Sequence, residues 1–110
     1  MDRPTVFDFQ RALTLIRQCP VYQPTPLHKI KAPAGHQLLI KNETNRFRMG
    51  AFKALGGIYA MAAVLLEQWR EENQTDIEPE RLFTKEIQAW SRQFTFVCAS
   101  AGNHGLAAAR

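Results

Sequence analysis

Phe94-Thr95-Phe96-Val97-Cys98-Ala99 runs directly into Ser100-Ala101-Gly102-Asn103-His104-Gly105. The first six residues carry no charge, and aromatic and β-branched side chains dominate them, the composition of a buried strand. Residues 100–102 read as a tight turn, and residues 103–110 open a helix. A strand that passes through a short turn into a helix is the repeating unit of an α/β fold. The turn lies at the carboxyl end of its strand, where open α/β sheets usually bind their ligands.

The preceding residues fit the same reading. A helix is predicted over 7–18, with Phe9, Leu13 and Ile16 or Arg17 on one apolar face and Asp8 in its first turn. Cys19-Pro20 ends it, because proline cannot continue the ladder. Residues 22–26 must be extended, and Ala32-Pro33-Ala34-Gly35-His36 is a turn. Residues 37–41 form a short buried strand, and residues 42–50 a polar loop. A long helix follows over 51–72. Phe52, Leu55, Tyr59, Ala62 and Leu66 make one apolar stripe, and Ile58, Met61 and Leu65 a second, so more than one side should be packed. After a loop at 73–79, a helix over 80–92 buries Phe83, Ile87 and Trp90. Strands alternating with helices predict an α/β fold with a parallel sheet flanked by helices.

The chain has 110 residues, 45% of them hydrophobic and 22% charged, within the range of one globular domain. Two cysteines, Cys19 and Cys98, are too few for a disulfide scaffold, and the start of the chain has no signal-peptide pattern. The longest mostly apolar run, residues 54–66, is shorter than the ~20 residues that span a bilayer. These features predict a cytoplasmic protein with free thiols, off the membrane. Residues 1–55 carry nine Lys or Arg against three Asp or Glu, and residues 56–110 carry five against seven. The basic half reads as a solvated surface, as a nucleic-acid arm, or as an attractor for a small anion. Its cations are scattered and lack interleaved aromatics, so nucleic acid is not the expected partner. The last residues, Leu106-Ala107-Ala108-Ala109-Arg110, form helix with no stop signal, and only two strands precede them. The two readings are a fraying natural end and a chain that stops partway through a larger domain. The second is preferred.

Two places could carry chemistry. Lys53 stands between Phe52 and Ala54 in the first turn of the long helix. Burial and the positive helix end would both disfavour its ammonium form, and a neutral lysine is a nucleophile for carbonyl compounds. The plainer alternative is a lysine that reaches to water. At residues 100–105, unpaired N–H groups at a helix start favour an anion. The alternative is an ordinary turn capped by Ser100 or Asn103. His28, His36 and His104 have no metal-ligand spacing, so no metal is expected. Glu43 reads as a general base or, beside Arg46 and Arg48, as a surface ion pair.

In order, Thr25-Pro26-Leu27, Lys41-Asn42-Glu43, Gly50-Ala51-Phe52-Lys53 and Ser100-Ala101-Gly102-Asn103-His104-Gly105 resemble the amino-terminal part of the fold-type II, tryptophan synthase beta-like, pyridoxal phosphate enzymes. The resemblance covers residues 22–110. It implies one domain portion over 1–110, with a leading helix and linker at 1–21 and the family-like region at 22–110. It implies that Lys53 carries pyridoxal 5′-phosphate, that Phe52 packs beside the cofactor, and that Asn103 hydrogen-bonds the 3′ oxygen of its ring. Ser100, Ala101, Gly102, Asn103 and His104 would hold the substrate carboxylate. Residues 45–57 look most like diaminopropionate ammonia-lyases, whereas Ser-Ala-Gly-Asn-His is the threonine dehydratase form. Ala101 stands where the former carry an acidic second base, which puts action on D-amino acids in doubt. Ala51 replaces a serine often found two residues before the lysine.

The implied activity is a pyridoxal phosphate-dependent lyase. It would perform β-elimination on 2,3-diaminopropionate, serine or threonine, releasing a 2-oxo acid and ammonia. A homodimer is expected at full length. The family's phosphate loop lies beyond such a segment, so a product ending at Arg110 is expected to be nearly inactive. The alternative function is a non-catalytic remnant that serves as a folding or interaction module.

Overall fold

The computed structural model describes residues 8–100 together with Gly102 and Gly105. The expected end at 106–110 therefore lies outside the described residues. Helix α1 spans Phe9–Arg17. Asp8 precedes it as the N-cap, its Oδ1 accepting the Arg11 backbone N–H at 3.0 Å. The packed part of α1 is its second half, where buried Leu15 and half-buried Ile16 meet the hydrophobic clusters. Phe9, expected on the buried face, is 73% exposed because the clusters do not extend to the first turn.

Strands β1, Leu27–Lys31, and β2, Gln37–Lys41, form an antiparallel ribbon with Leu27 opposite Lys41 and Lys31 opposite Gln37. The turn expected at 32–36 joins them. Ala34 and Gly35 take φ of 60° and 78°, and the Ala32 N–H donates to the His36 carbonyl at 2.9 Å. Period-2 alternation places Ile30, Leu38 and Ile40 on one face. All ten strand residues are exposed, so β2 is a strand but not the buried one expected.

The fold is mixed α/β, and among the described residues the sheet is a two-stranded antiparallel one, with no parallel pairing of the kind expected. A five-residue connection can join only antiparallel neighbours, whereas parallel strands need a crossover of a dozen residues or more. Residues 94–99, read as the clearest strand, pair with nothing among the described residues, and Val97 is 91% exposed. Strand composition gives a segment the capacity to pair. The ladder itself requires a neighbour.

Helix α2 spans Lys53–Asn73 and ends at Gln74, whose left-handed φ of 55° lets its N–H reach the Arg70 carbonyl at 2.9 Å. Helix α3 spans Lys85–Ser91, shorter than the expected 80–92. Pro79–Arg81 form a separate 3-10 turn, and Thr84 is extended at ψ 157°, so the two do not merge. The expected face of α3 is the one that packs. Ile87 is 1% exposed and joins Leu15, Ala62, Ile77 and Leu82 in the main cluster, with Phe83 and Trp90 against it. Trp90 stands edge-on to Trp69 at 5.1 Å, and its indole N–H donates to Glu72 Oε2 at 2.9 Å.

A second cluster of Cys19, Phe47 and Ala54 lies under the start of α2 and shares Phe83 with the first. The second stripe of α2, Ile58, Met61 and Leu65, lines an apolar groove of about 600 Å³ with Phe47, Met49 and Leu82. The ribbon barely touches the helices. The radius of gyration is accordingly 17.0 Å, against roughly 13 Å for a compact chain of this length.

Candidate functional site

The polar loop between β2 and α2 is organised by a largely buried ion pair. Arg46 Nε donates to Glu43 Oε2 at 2.6 Å, and Arg46 Nη2 donates to Glu43 Oε1 at 3.0 Å. Their side chains are only 5% and 19% exposed. Thr25 completes the knot: its hydroxyl donates to Glu43 Oε1 at 2.6 Å and accepts from Arg46 Nη2 at 2.7 Å. Arg46 Nη1 reaches the Gln23 carbonyl at 3.1 Å, and Lys41 Nζ donates to the Thr25 carbonyl. The guanidinium also lies about 6 Å from the ring centres of Tyr22 (6.0 Å) and Phe47 (5.9 Å).

Two of the segments that carry the resemblance, Thr25-Pro26-Leu27 and Lys41-Asn42-Glu43, are thus tied to one arginine. The Arg46 hydrogen bonds hold the Glu43 carboxyl well below its ordinary value, at about 2, despite the opposing effect of burial. Arg46 is raised in turn, mainly by its bond to Glu43. Of the two readings the sequence allowed for Glu43, the ion pair is the one formed, with Arg46 and largely shielded from water rather than on the open surface. Glu43 is an ionised, enclosed acceptor with every near neighbour a donor.

The knot opens into an unusual turn. Phe47, Arg48 and Gly50 have φ of 46°, 59° and 67°. Each non-glycine residue in this left-handed region costs roughly 1–2 kcal/mol. What holds Phe47 there is burial: it is 4% exposed, packed in one cluster with Cys19 and with Ala54 on the first turn of α2. Gly50 is needed twice over, for its φ and because a Cβ there would stand 3.3 Å from the Thr44 carbonyl.

Lys53 follows three residues later as the first residue of α2. It is exposed rather than enclosed, and its side chain makes no hydrogen bond or ion pair among the described residues. Phe52 beside it is 66% exposed. The first turn of a helix can be buried on one side only, and here Ala54, 0% exposed, takes that side.

At the other candidate, Ser100 is exposed and its Oγ accepts the N–H groups of Gly102 at 3.3 Å and Gly105 at 2.7 Å. Ser100 therefore caps the turn, one of the two alternatives read from sequence. Gly105 allows the close approach, since a Cβ there would stand 2.8 Å from Ser100 Oγ. Ala101, Asn103 and His104 lie outside the described residues. No hydrogen bond among the described residues joins Lys53 to Ser100.

The motif segments before and around Lys53 thus form one continuous structural unit. Over 88 residues, 76% of its length, the chain is 35% identical to a protein from Escherichia coli called diaminopropionate ammonia-lyase. Over 100 residues, 84% of its length, it is 35% identical to one so called from Salmonella typhimurium. The chain is similar to the diaminopropionate ammonia-lyases. It spans 21% and 24% of the length of these two relatives. No family profile and no solved structure matches the chain.

Sequence reasoning named Thr25 as part of a motif and Arg46 as a neighbour of Glu43, but it did not bring Thr25, Glu43 and Arg46 together as one unit. The available signal was Glu43 itself, one of only three carboxylates in a half with nine cations.

Proposed function

We propose that this chain is part of a pyridoxal phosphate-dependent ammonia-lyase or dehydratase, with Lys53 as the cofactor-bearing lysine. The observation that carries the reading is Lys53 itself: an accessible primary amine at the start of α2, in a chain 35% identical to a diaminopropionate ammonia-lyase over 88 residues. The donor set fits the carbonyl end of the cofactor, because Lys53 Nζ has no competing partner among the described residues. The Ser100 turn fits a carboxylate. Two backbone N–H groups already converge there on one oxygen, Ser100 Oγ, as they would on an anionic one.

When bound, the cofactor supplies an electron sink at the substrate's α-carbon. Lys53 Nζ would hold the cofactor and, as a free amine, would take the α-proton. Ser100, Ala101, Gly102, Asn103 and His104 would hold the carboxylate, Asn103 would also hydrogen-bond the ring's 3′ oxygen, and Phe52 would pack beside the cofactor. The net reaction would be loss of the β-substituent, as ammonia from 2,3-diaminopropionate or as water from serine or threonine, with hydrolysis giving a 2-oxo acid and ammonia. The same reading places the chain in the fold-type II architecture, with residues 94–99 as a strand of its parallel sheet. It assigns a homodimer and a cytoplasmic setting, the latter consistent with Cys19 and Cys98 both being free thiols.

The test is to give the product of the native gene pyridoxal phosphate and each of the three amino acids. A visible-range chromophore and 2-oxo acid release, both lost in Lys53→Ala, are the expected result. Release that survives Lys53→Ala would overturn the reading. The alternative, an interaction module, draws on the exposed Ile30, Leu38 and Ile40. It predicts self-association with no chromophore.

A further inference from the structure

We propose that the buried pair of Glu43 and Arg46 is a positioning device for Lys53, acting through the left-handed turn that separates them. The inference rests on the reading of Lys53 as the cofactor-bearing lysine.

Strained backbone persists only where its surroundings over-determine it. Here the surroundings can be traced atom by atom. Glu43 accepts two bonds from Arg46, and the Arg46 N–H donates to the Glu43 carbonyl at 3.1 Å, so the side chains and the backbone close the same loop. The next residue is Phe47, at φ 46°, and its ring is packed with Ala54. Ala54 adjoins Lys53. The Met49 N–H returns to the Arg46 carbonyl at 2.9 Å, and the Ala54 N–H to that of Ala51 at 3.4 Å, so hydrogen bonds tie the segment at both ends.

Among the described residues, the polar groups facing the pair come from the segment before β1 or the end of β2: the Tyr22 side chain, the Gln23 carbonyl, the Thr25 hydroxyl and Lys41. The knot therefore anchors the start of α2 to the ribbon, which otherwise stands apart from the helices. Without the Glu43 carboxylate, a buried guanidinium loses its partner. The packing of Phe47 with Cys19 and Ala54 is then the main restraint left on the left-handed turn, without the side-chain bonds that close the loop before it. Residues 47 and 48 relax to ordinary φ, Phe47 shifts on Ala54, and Lys53 moves with the first turn of α2.

The test uses the whole chain in three forms: unchanged, Glu43→Gln, and Glu43→Gln with Arg48→Gly. Arg48 is exposed, so glycine there relieves the left-handed penalty without emptying any space in the core. Two reagents report on Lys53 against Lys85, an exposed lysine on α3. One is an acylating agent, which reads the amine's surroundings. The other is pyridoxal phosphate followed by borohydride, which reads cofactor attachment. Peptide mass spectrometry quantifies both, and amide NMR signals follow the backbone.

In Glu43→Gln the Lys53-to-Lys85 acylation ratio should change about fivefold, the factor that a perturbation on the scale of one weak interaction produces. Amide signals of residues 47–54 should move while those of Ile87 and Trp90 stay. Arg48→Gly should restore most of both changes, which a merely global loss of stability would not produce at Lys53 alone. Unchanged amide signals at 47–54 and an unchanged acylation ratio overturn the proposal. An unaltered chain in which pyridoxal phosphate attaches no faster to Lys53 than to Lys85, while acylation still responds to Glu43→Gln, sinks the cofactor reading and leaves the positioning role standing.

Discussion

Replacing Glu43 by glutamine should make the chain less stable at neutral pH and should erase part of its acid sensitivity. Glu43 falls from an ordinary value near 4.5 to about 2 in the folded chain, chiefly through its hydrogen bonds to Arg46. A depressed carboxyl contributes stability that is fully present above the unfolded value and is lost as pH falls through the folded one. The window is therefore about pH 4.5 down to about 2. A shift of that size corresponds to about 3 kcal/mol at full strength. One side of Glu43 is open to water, and screening there reduces the expected contribution to ~1–2 kcal/mol.

Glutamine keeps the shape but not the charge, and it leaves Arg46, 4% exposed, without its anion. Uncompensated burial of one partner is worth about 3–5 kcal/mol in enclosed pairs, and partial exposure of Glu43 puts this site at or below the lower end. Urea unfolding followed by tryptophan fluorescence is a direct assay, since Trp69 and Trp90 pack against the main cluster. The stability gap between the unchanged chain and Glu43→Gln should be widest at pH 5–7 and should close progressively toward pH 2. A gap that stays constant across this range would refute the reasoning, because it would mean the Glu43 charge contributes nothing.

Three further substitutions probe separate parts of the structure. Ile87→Ala empties the most enclosed position of the main cluster and should cost about 2–5 kcal/mol in the same unfolding assay. Gly50→Ala combines a φ of +67° with a methyl 3.3 Å from the Thr44 carbonyl, and should cost more than ~1 kcal/mol. Gly105→Ala drives a methyl to 2.8 Å from Ser100 Oγ and should break the bond from the Gly105 N–H. Faster amide exchange at residue 105, with unchanged unfolding of the helices, is the expected reading.

Where the reading of the site succeeded and where it failed follows from the range of the forces involved. The bend at 32–36 and the packed face of α3 were legible because proline, glycine and 3.6-residue periodicity act over a few neighbours. Of the two readings of Lys53, enclosed or reaching to water, the structure takes the second, because a helix start has two sides and periodicity does not say which of them meets the core. The motif order around Lys53 was legible as a resemblance. The physical unit behind it was not, since Thr25 and Glu43 meet across 18 residues.

The sequence by itself determined roughly where the helices lie and where the chain turns at 32–36, whereas the cap at Asp8 and the break between the 3-10 turn at Pro79–Arg81 and α3 belong to the folded chain. Asp8, Pro79 and Gly50 act through their own dihedrals and nearest hydrogen bonds. Only the tertiary structure decided that β2 pairs antiparallel with β1 and that residues 94–99 stay unpaired among the described residues. It alone turned Glu43 and Arg46 from a loop charge pair into an enclosed knot. Strand pairing depends on which neighbour is present, and the strength of an ion pair depends on how much water is excluded from it. Both are properties of the assembled chain.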